Sequence, residues 1–402
     1  MMAQKRSCCR VAVFTLFFLG CSSDGDSVDV EYEGDEAGEC NDDADNDMDG
    51  LFDCNDPGCI GSEICGGSND DSDEPVGTTD DGAVDVPEGW LTVSGNGIYY
   101  SDGTPFMGRG ANIHDTRGCN ACAYSEPNVD EVKRRIDALV DDWGANFMRL
   151  LLESYASADG RVHWANPLED SDFLGDVVEM VDYIGSKPGV YVLLTLWIDP
   201  TFDDIGWPTD ETIPVWEVLA EALVDQPHVM FGLVNEPESN VDGALDGEVW
   251  ERMNSVVAAI RDVEAAHDSP AHIITVQGTR SWARHLGYYV EHPITGGGGV
   301  NIAYETHSYM SPSAFDENWI EPSETLPVII GEFGPFEMTV DECVVMMDEA
   351  ESRGIPWLAW TFHQRCGPSL LVDYQGSGCG ADMELTPSDD WGVVIYDRLV
   401  GQ

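Results

Sequence analysis

The sequence predicts an α/β protein whose main domain is a closed (β/α)8 TIM barrel, and three observations lead to this fold class. From about residue 90 onwards, short apolar runs rich in β-forming residues alternate with amphipathic helical patterns. About eight such strand–helix units fit into a little over 300 residues, which is the count and size of this barrel. Polar residues follow the apolar runs where the strands end. A doubly wound open sheet, the structural alternative, does not predict polar residues at every strand end.

The apolar runs place the barrel strands along the chain. A first strand ends at Gly110-Ala-Asn112-Ile-His114, and we expect seven more near residues 146–152, 190–197, 229–234, 273–277, 301–306, 328–331 and 357–361. Helical patterns fall between them, among others at 129–142, 173–186, 215–225, 248–267 and 391–400. Ahead of the barrel, segment 90–106 contains short alternating runs broken by Asn-Gly and Asp-Gly, which predicts an N-terminal β-hairpin.

Two of the apolar runs end in a glutamate. The run from Val229 ends at Asn235-Glu236-Pro237, and a second run ends at Gly331-Glu332-Phe333-Gly334. A lone glutamate at such a place would most simply face solvent. Two of them, roughly a hundred residues apart, meet only if a closed or doubly wound sheet brings the strand ends together. Loss of water at a strand tip raises a carboxyl pKa, which suits a general acid, and glycoside hydrolysis needs one acid and one carboxylate.

A third strand end lies between the two glutamates, at Ala303-Tyr-Glu-Thr-His307-Ser-Tyr309. With this third motif, the chain from about Trp90 to Gln402 resembles glycoside hydrolase family 5, the cellulase-type family. The resemblance implies a hairpin that plugs the bottom of the barrel and a retaining mechanism without a catalytic cofactor. Glu236 would be the acid/base and Glu332 the nucleophile.

Arg149 lies inside the apolar run Phe147-Met-Arg-Leu-Leu, and an arginine there needs a buried anionic partner. By resemblance that partner is Glu332. An ion pair with a structural carboxylate such as Glu153 is the alternative. Ionised Glu332 would raise the pKa of Glu236 by like charge, which keeps the two roles apart.

The resemblance also implies several substrate-binding residues. Asn235 matches the asparagine that bonds the sugar 2-hydroxyl, and His307 and Tyr309 match a His and a Tyr of which the Tyr donates to the nucleophile. Trp360 matches a tryptophan on which a sugar ring stacks, and His114 matches a histidine found in part of the family. An isolated Trp is more often a core residue, but placement at a strand end favours a sugar platform.

One position departs from the family pattern. The family usually ends its third strand with a histidine, whereas this chain reads Leu194-Thr-Leu-Trp197-Ile-Asp199. We expect Trp197 or Asp199 to shape the sugar site there. The departure leaves the substrate open, with a β-1,4-glucan first, a β-mannan second, and a xylan or a small aryl glycoside as a third alternative.

Composition limits the remaining function classes. A formal net charge of −58 gives no electrostatic basis for nucleic-acid binding. The resemblance implies a polysaccharide partner, and we expect a monomeric enzyme. A glycan-binding or scaffold surface lipoprotein on an inactive barrel is the non-enzyme alternative. The presence of both glutamates with Asn235, Tyr309 and Trp360 argues against it.

Residues 1–20 read as an export signal. Lys5, Arg6 and Arg10 precede an apolar stretch too short to span a bilayer, and Phe18-Leu-Gly-Cys21 resembles a lipobox with lipid attached to Cys21. An ordinary secretory signal is the alternative. The resemblance favours anchoring at the outer membrane or cell surface, so the membrane is contacted only through the lipid anchor. In either case the protein is exported and disulfides are allowed.

Residues 21–86 form an acidic linker with a Cys-rich module at 38–65, followed by the barrel domain at 87–402. The flanks of the module lack hydrophobic periodicity and are predicted to be disordered. The module carries oxygen ligands with calcium-loop spacing, namely Asp45, Asp47, Asp49, Asp53 and Asp56. With its cysteines it resembles a thrombospondin type 3 repeat. A linker with two small disulfides and no metal is the alternative.

The barrel domain has its own cysteines. The local pairings are Cys119 with Cys122 and Cys366 with Cys379, which would leave Cys343 free. Spacing alone does not establish the connectivity.

Overall fold

The computed structural model describes residues 86–116, 128–152, 166–197, 208–236, 240–280, 282–364, 366–372 and 384–401. All of them belong to the compact unit Ala83–Gln402. The predictions for the signal, Cys21, the linker, the calcium loop, Asp199 and the Cys119–Cys122 pair lie outside the described residues. No helix of the described segments combines the length and the apolar character that crossing a membrane requires.

In the described segments, ten strands form two sheets. The strands are β1 Leu91–Ser94, β2 Gly97–Tyr100, β3 Arg109–His114, β4 Phe147–Leu152, β5 Tyr191–Leu196, β6 Val229–Gly232, β7 Ile273–Gln277, β8 Ile302–Ser308, β9 Val328–Phe333 and β10 Trp357–Ala359. Strands β1 and β2 pair antiparallel as the predicted hairpin. The other eight pair in chain order into a closed parallel barrel, with β10 beside β3. The predicted (β/α)8 barrel is confirmed.

Helices cover the outside of the barrel. They are α1 Val129–Asp137, which continues as a π-helical turn Ala138–Asp142, α2 Asn166–Glu169, α3 Ser171–Gly185, α4 Ile213–Leu223, α5 Asp246–Ala266, α6 Gly287–Glu291, α7 Val340–Ser352 and α8 Trp391–Val400. Two of the longer helices begin with a side-chain N-cap. The Asp170 side chain accepts backbone bonds at the start of α3, and Thr339 with Glu342 forms a reciprocal capping box at the start of α7.

The apolar core has two parts. The larger part lies between the outer faces of the strands and the helices, with large buried side chains such as Trp216 and Trp319. The smaller part fills the inside of the barrel at its N-terminal end, and Leu91 and Ile98 of the hairpin belong to it. Each such side chain stabilises the fold by about 1.5–3 kcal/mol. The hairpin therefore closes the bottom of the barrel, so we look for a ligand site at the opposite end.

Alternation along the strands places polar groups above this inner core. Phe147, Ile273 and Ala303 belong to the inner apolar cluster. Successive side chains of a strand point to opposite faces, so the residues two positions further on also face the barrel interior. These residues are Arg149, Thr275 and Glu305. The interior is thus apolar at the N-terminal end and charged toward the C-terminal mouth.

Candidate active site

Glu236 and Glu332 meet at the C-terminal mouth of the barrel. Glu236 follows β6 in the chain, and Glu332 lies one residue before the end of β9. One oxygen of each carboxyl group and one ring nitrogen of His307 all lie within 4.8 Å of one another. In glycoside hydrolases, carboxyl groups about 5 Å apart accompany retention, whereas inversion needs a separation of roughly 6.5–9.5 Å to admit a water. The spacing fits the retaining geometry expected from the sequence.

Arg149 holds Glu332 from inside the barrel. Its side chain is fully buried, and Nη1 donates to Glu332 Oε1 at 2.6 Å. The same guanidinium donates to Asn112 Oδ1 at 3.1 Å and to Asn235 Oδ1 at 3.0 Å. The planar fork of arginine makes these contacts together, which a lysine could not do. The structure therefore pairs Arg149 with Glu332, and the alternative partner Glu153 lies outside the described residues.

Tyr309 reaches the other oxygen of Glu332. Its hydroxyl group donates to Glu332 Oε2 at 3.0 Å. Burial raises the pKa of Tyr309 well above its ordinary value, so this hydroxyl keeps its proton and stays a donor. Burial also raises the pKa of Glu332, and the positive charges of His307 and Arg149 together with the Tyr309 bond oppose that rise.

His307 stands between carboxyl groups on both sides of its ring. Its Nδ1 lies 2.8 Å from Glu236 Oε1 and 3.6 Å from Glu332 Oε2, and its Nε2 lies 3.2 Å from Glu305 Oε1. Burial lowers the pKa of His307, but the charge of Glu332 and the bonds to Glu236 and Glu305 outweigh burial and raise it to about 9. The ring is therefore an imidazolium at neutral pH. Within the described part of the chain, Glu236, His307 and Glu332 are the grouping whose atoms could hold a metal, but a protonated ring offers no lone pair.

A cleft of about 400 Å³ opens over the two glutamates. Its lining includes Glu236, Glu332, Tyr309, Trp197, Trp360, Trp282, Arg284, Phe336, Glu337, Gly367 and Pro368. Trp360 is 5% exposed and packs with Tyr309, whereas Trp282 and Phe336 at the rim are 44% and 75% exposed. Aromatic side chains that line a cleft together with a carboxyl pair suit the apolar faces of sugar rings.

Comparison with known proteins agrees with this geometry. The family model described as Cellulase (glycosyl hydrolase family 5) matches residues 100–365. The chain belongs to glycoside hydrolase family 5. Members of family 5 act by a retaining two-glutamate mechanism, so this chain is a retaining glycoside hydrolase that needs no cofactor for catalysis.

Relatives within family 5 carry different names. A mannan endo-1,4-beta-mannosidase of Salipaludibacillus agaradhaerens is 25% identical over 320 residues, which is 77% of this chain and 91% of that protein. Endoglucanase C of Evansella cellulosilytica is 26% identical over 208 residues, 46% of this chain but only 22% of that protein. Two solved structures share the fold. Cellulase Cel5C_n has a TM-score of 0.61 at 22% identity, covering 80% of this chain and 95% of its own. The beta-glucanase SdGluc5_26A of Saccharophagus degradans, solved with cellotetraose, has 0.58 at 21%, covering 82% and 98%.

Trp197, one of the two candidates for the place of the missing histidine, lines the cleft. Its ring packs in one cluster with Leu151, Tyr309 and Trp360. The indole ring of Trp197 offers a sugar both an apolar face for stacking and an N–H donor. Asp199, the other candidate for the same place, lies outside the described residues.

His114 is buried beside the cleft wall. Its ring meets Trp360 and His363 edge-on at 5.4 Å between ring centroids in both cases. Burial and the charges of Arg135 and Arg149 lower the pKa of His114 to about 3, so the ring is neutral. The edge-on packing of His114 against the Trp360 ring helps to hold that ring in place. A direct contact of His114 with sugar stays a prediction.

The sequence reasoning missed Glu305. This side chain is fully buried, and its Oε2 accepts 2.7 Å bonds from Thr275 Oγ1 and Gln277 Nε2. Its Oε1 forms an ion pair with Arg149, at 2.8 Å from Nε. Burial raises the pKa of Glu305, but Arg149, His307 and Thr275 outweigh burial and lower it to about 2. The sequence did contain a signal for Glu305. The strand alternation that turns His307 into the barrel also turns Glu305, two residues earlier, into the barrel.

Two cysteines of the barrel domain are described. Cys366 is disulfide-bonded, and Cys343 is a buried free thiol as expected. The predicted partner of Cys366, Cys379, lies outside the described residues. Burial raises the pKa of the Cys343 thiol to about 12, which keeps it protonated.

Proposed function

We propose that this family 5 enzyme is an endo-acting β-glucanase of the cellulase type. The observation that carries the proposal is the cleft, whose lining combines the two glutamates with four large aromatic side chains, Trp197, Trp282, Phe336 and Trp360. An enzyme that cuts inside a polymer must bind sugar rings on both sides of the scissile bond. Four aromatic rings in one cleft offer stacking faces for more than one sugar ring, which fits that requirement.

Each side chain of the site has a task in the proposed mechanism. Glu236 protonates the departing glycosidic oxygen while Glu332 attacks the anomeric carbon, so the bond to the leaving group breaks as the bond to Glu332 forms. Glu236 then takes a proton from water, and that water releases the sugar from Glu332 with net retention. Arg149 and Tyr309 hold both oxygens of the nucleophile.

Asn235 is proposed to bind the sugar 2-hydroxyl. Its Oδ1 already accepts from Arg149 Nη2 at 3.0 Å, which fixes the orientation of the side-chain amide. The amide nitrogen is then the atom left to donate to a ligand. A hydrogen bond to the 2-hydroxyl strengthens in the transition state of glycoside hydrolysis.

A β-mannan is the second candidate substrate, because the relative with 91% of its length matched is named a mannanase. The test compares the full-length enzyme on soluble β-1,4-glucan, mannan, xylan and aryl β-glycosides, with product length and anomer followed by chromatography and NMR. We expect mixed cello-oligosaccharides with the β configuration retained. Faster mannan cleavage would favour the alternative. Release of short units only would contradict endo action, and sugar binding without turnover would favour a glycan-binding protein. Glu332→Ala is the control for contaminating activity.

We also propose that the enzyme is an exported monomer, anchored by lipid at Cys21, with calcium in the module at 38–65. The lipobox-like segment before Cys21 and the spacing of the aspartates from Asp45 to Asp56 support these two assignments. Cys21→Ser should abolish incorporation of labelled fatty acid. Calorimetric titration should detect calcium at or below millimolar concentration, and chelation should leave hydrolysis nearly unchanged because the barrel has its own core. If no calcium binds at millimolar concentration, the module is only an acidic stalk.

A further inference from the structure

The two-glutamate mechanism assigns no step to Glu305, although this carboxylate lies directly behind the site. It is fully buried on β8 and sits two residues before His307 on the same inner face. Its Oε1 stands between Arg149 Nε at 2.8 Å and His307 Nε2 at 3.2 Å. Burying a charge costs free energy unless partners compensate it, so such a placement needs a reason.

The neighbouring strand is shaped to admit this carboxylate. A Cβ atom on Gly331 would lie 2.1 Å from Glu305 Oε1, closer than any real contact. Only glycine at this position lets the carboxylate sit against β9, immediately before the nucleophile Glu332. Gln277 fixes the carboxylate from the other side and also accepts a bond from Val234 N at 3.2 Å, in the segment that leads to Glu236. Glu305 thus contacts the supports of both catalytic glutamates.

The consequence for the acid follows from the two nitrogens of His307. Glu305 accepts at Nε2, so Nε2 carries a hydrogen. If the ring were neutral, Nδ1 would be bare, and the proton of Glu236 would sit on Oε1 and point at Nδ1, 2.8 Å away. If the ring is an imidazolium, Nδ1 donates to Oε1, and the proton of Glu236 must sit on Oε2. That other oxygen is the one free to meet the leaving group.

We propose that Glu305 is a positioning residue whose negative charge keeps His307 doubly protonated, so that Nδ1 donates to Glu236 and the acid presents its proton to the substrate. The groups that face His307 are Glu305 on its own strand, Glu236 after β6, Glu332 on β9 and Arg149 on β4, and of these only Arg149 opposes its protonation. The inference rests on the two-glutamate mechanism and is independent of which polysaccharide is cleaved.

The test replaces Glu305 in the full chain by two residues. Gln keeps the shape of the side chain but removes its charge, whereas Asp keeps the charge but holds it one methylene further from His307. Histidine-selective isotope labelling gives the pKa of His307 by NMR, and His307→Gln identifies its signal among the nine histidines. We expect this pKa to fall by at least one unit in Glu305→Gln and by less in Glu305→Asp. On an aryl β-glycoside cleaved by the wild type, kcat should fall about tenfold to a hundredfold in Glu305→Gln with little change in KM, and less in Glu305→Asp.

A second buried triad provides the matched control. Glu264 pairs with Arg261 at 2.5 Å and with His272 at 2.7 Å, the same chemistry at a distance from the cleft. Glu264→Gln should lower stability but leave both kcat and the His307 titration unchanged.

Two results would overturn the proposal. The first is an unchanged His307 pKa in Glu305→Gln. The second is a Gln variant more active than the Asp variant, because a packing role favours equal volume over charge. If Glu305→Gln does not fold, Glu305→Asp decides alone, since a lowered His307 pKa supports the proposal and an unchanged one refutes it.

Discussion

Replacing Arg149 by Met should separate the two buried carboxylates from the cation that compensates them. Met has nearly the length of Arg but no charge, so Glu332 and Glu305 would both lose their contacts of 2.6 and 2.8 Å. Breaking a buried ion pair by removing one partner costs about 3–5 kcal/mol, and we expect a loss of that size in the free energy of unfolding at pH 7. Misplacement of the nucleophile should lower kcat/KM at least about a hundredfold.

The loss of stability in Arg149→Met should depend on pH. The pKa of Glu305 is about 2 in the folded protein against an unperturbed 4.5, which corresponds to about 3 kcal/mol of stability. Because the folded pKa is the lower one, this stability is complete above pH 4.5 and is lost as the pH falls toward 2. Arg149 is the leading cause of the lowered value. The destabilisation by Arg149→Met should therefore be smaller at pH 3 than at pH 7, by up to about 2 kcal/mol.

Urea unfolding followed by tryptophan fluorescence measures this difference, at pH 3 and pH 7 to stay clear of the sequence pI near 4.1. Arg261→Met is the matched control, because it breaks a second buried Arg–Glu pair. The control should lose stability without a change in kcat/KM per folded molecule. A loss under about 1 kcal/mol at pH 7, or retained kcat/KM in Arg149→Met, would refute the reasoning.

Three further predictions concern the catalytic pair, the cleft and the buried thiol. Glu332→Ala should abolish turnover, whereas azide should restore the activity of Glu236→Ala on a substrate with a good leaving group. If azide gave the same anomeric product with both variants, the two roles would be assigned wrongly. Trp282→Ala should raise KM on polysaccharide by about tenfold through lost stacking, with an unchanged thermal midpoint because the ring is 44% exposed; an equal effect on a one-sugar substrate would contradict this placement. The Cys343 thiol, with its pKa raised to about 12, should resist alkylation in the folded protein at pH 8 and react after denaturation; rapid labelling of folded protein would contradict its burial.

The sequence predicted the barrel well because its strands are continuous apolar runs with sharp ends. The run at Ile273–Gln277 and the helix at Trp391–Val400 were placed without error. The strand predicted to end at Gly331 continues through Glu332 to Phe333. A charged residue interrupts the apolar pattern, but the carboxylate stays within the strand because Arg149 and Tyr309 meet it there. Tertiary partners, which no local pattern shows, decided that boundary.

The candidate site was harder to predict where the signal lay in side chains from distant strands. The two glutamates stood at strand ends next to glycine or proline, so their positions could be read locally. Glu305 lay inside a strand pattern, and its role depends on a space left by Gly331 on the next strand. Trp282 lies in a loop after β7 with φ near 57°, a backbone conformation that no periodicity predicts.

Burial alone would have assigned the two glutamates the other way round. A carboxyl group that loses its water gains pKa, yet the side chain of Glu332 is 5% exposed and that of Glu236 is 20% exposed. Arg149 and His307 oppose the effect of burial on Glu332. Arg149 and His307 supply two positive charges, and ionised Glu305 and Glu332 match them, so a proton on Glu236 leaves no buried charge uncompensated. The net charge of −58 has little part in this balance, because solvent and salt screen surface charges over about 8–10 Å. The proton of the proposed acid is therefore placed by charge matching in the barrel interior, and a change at Glu305 or Arg149 should redistribute it without any substitution of the catalytic pair.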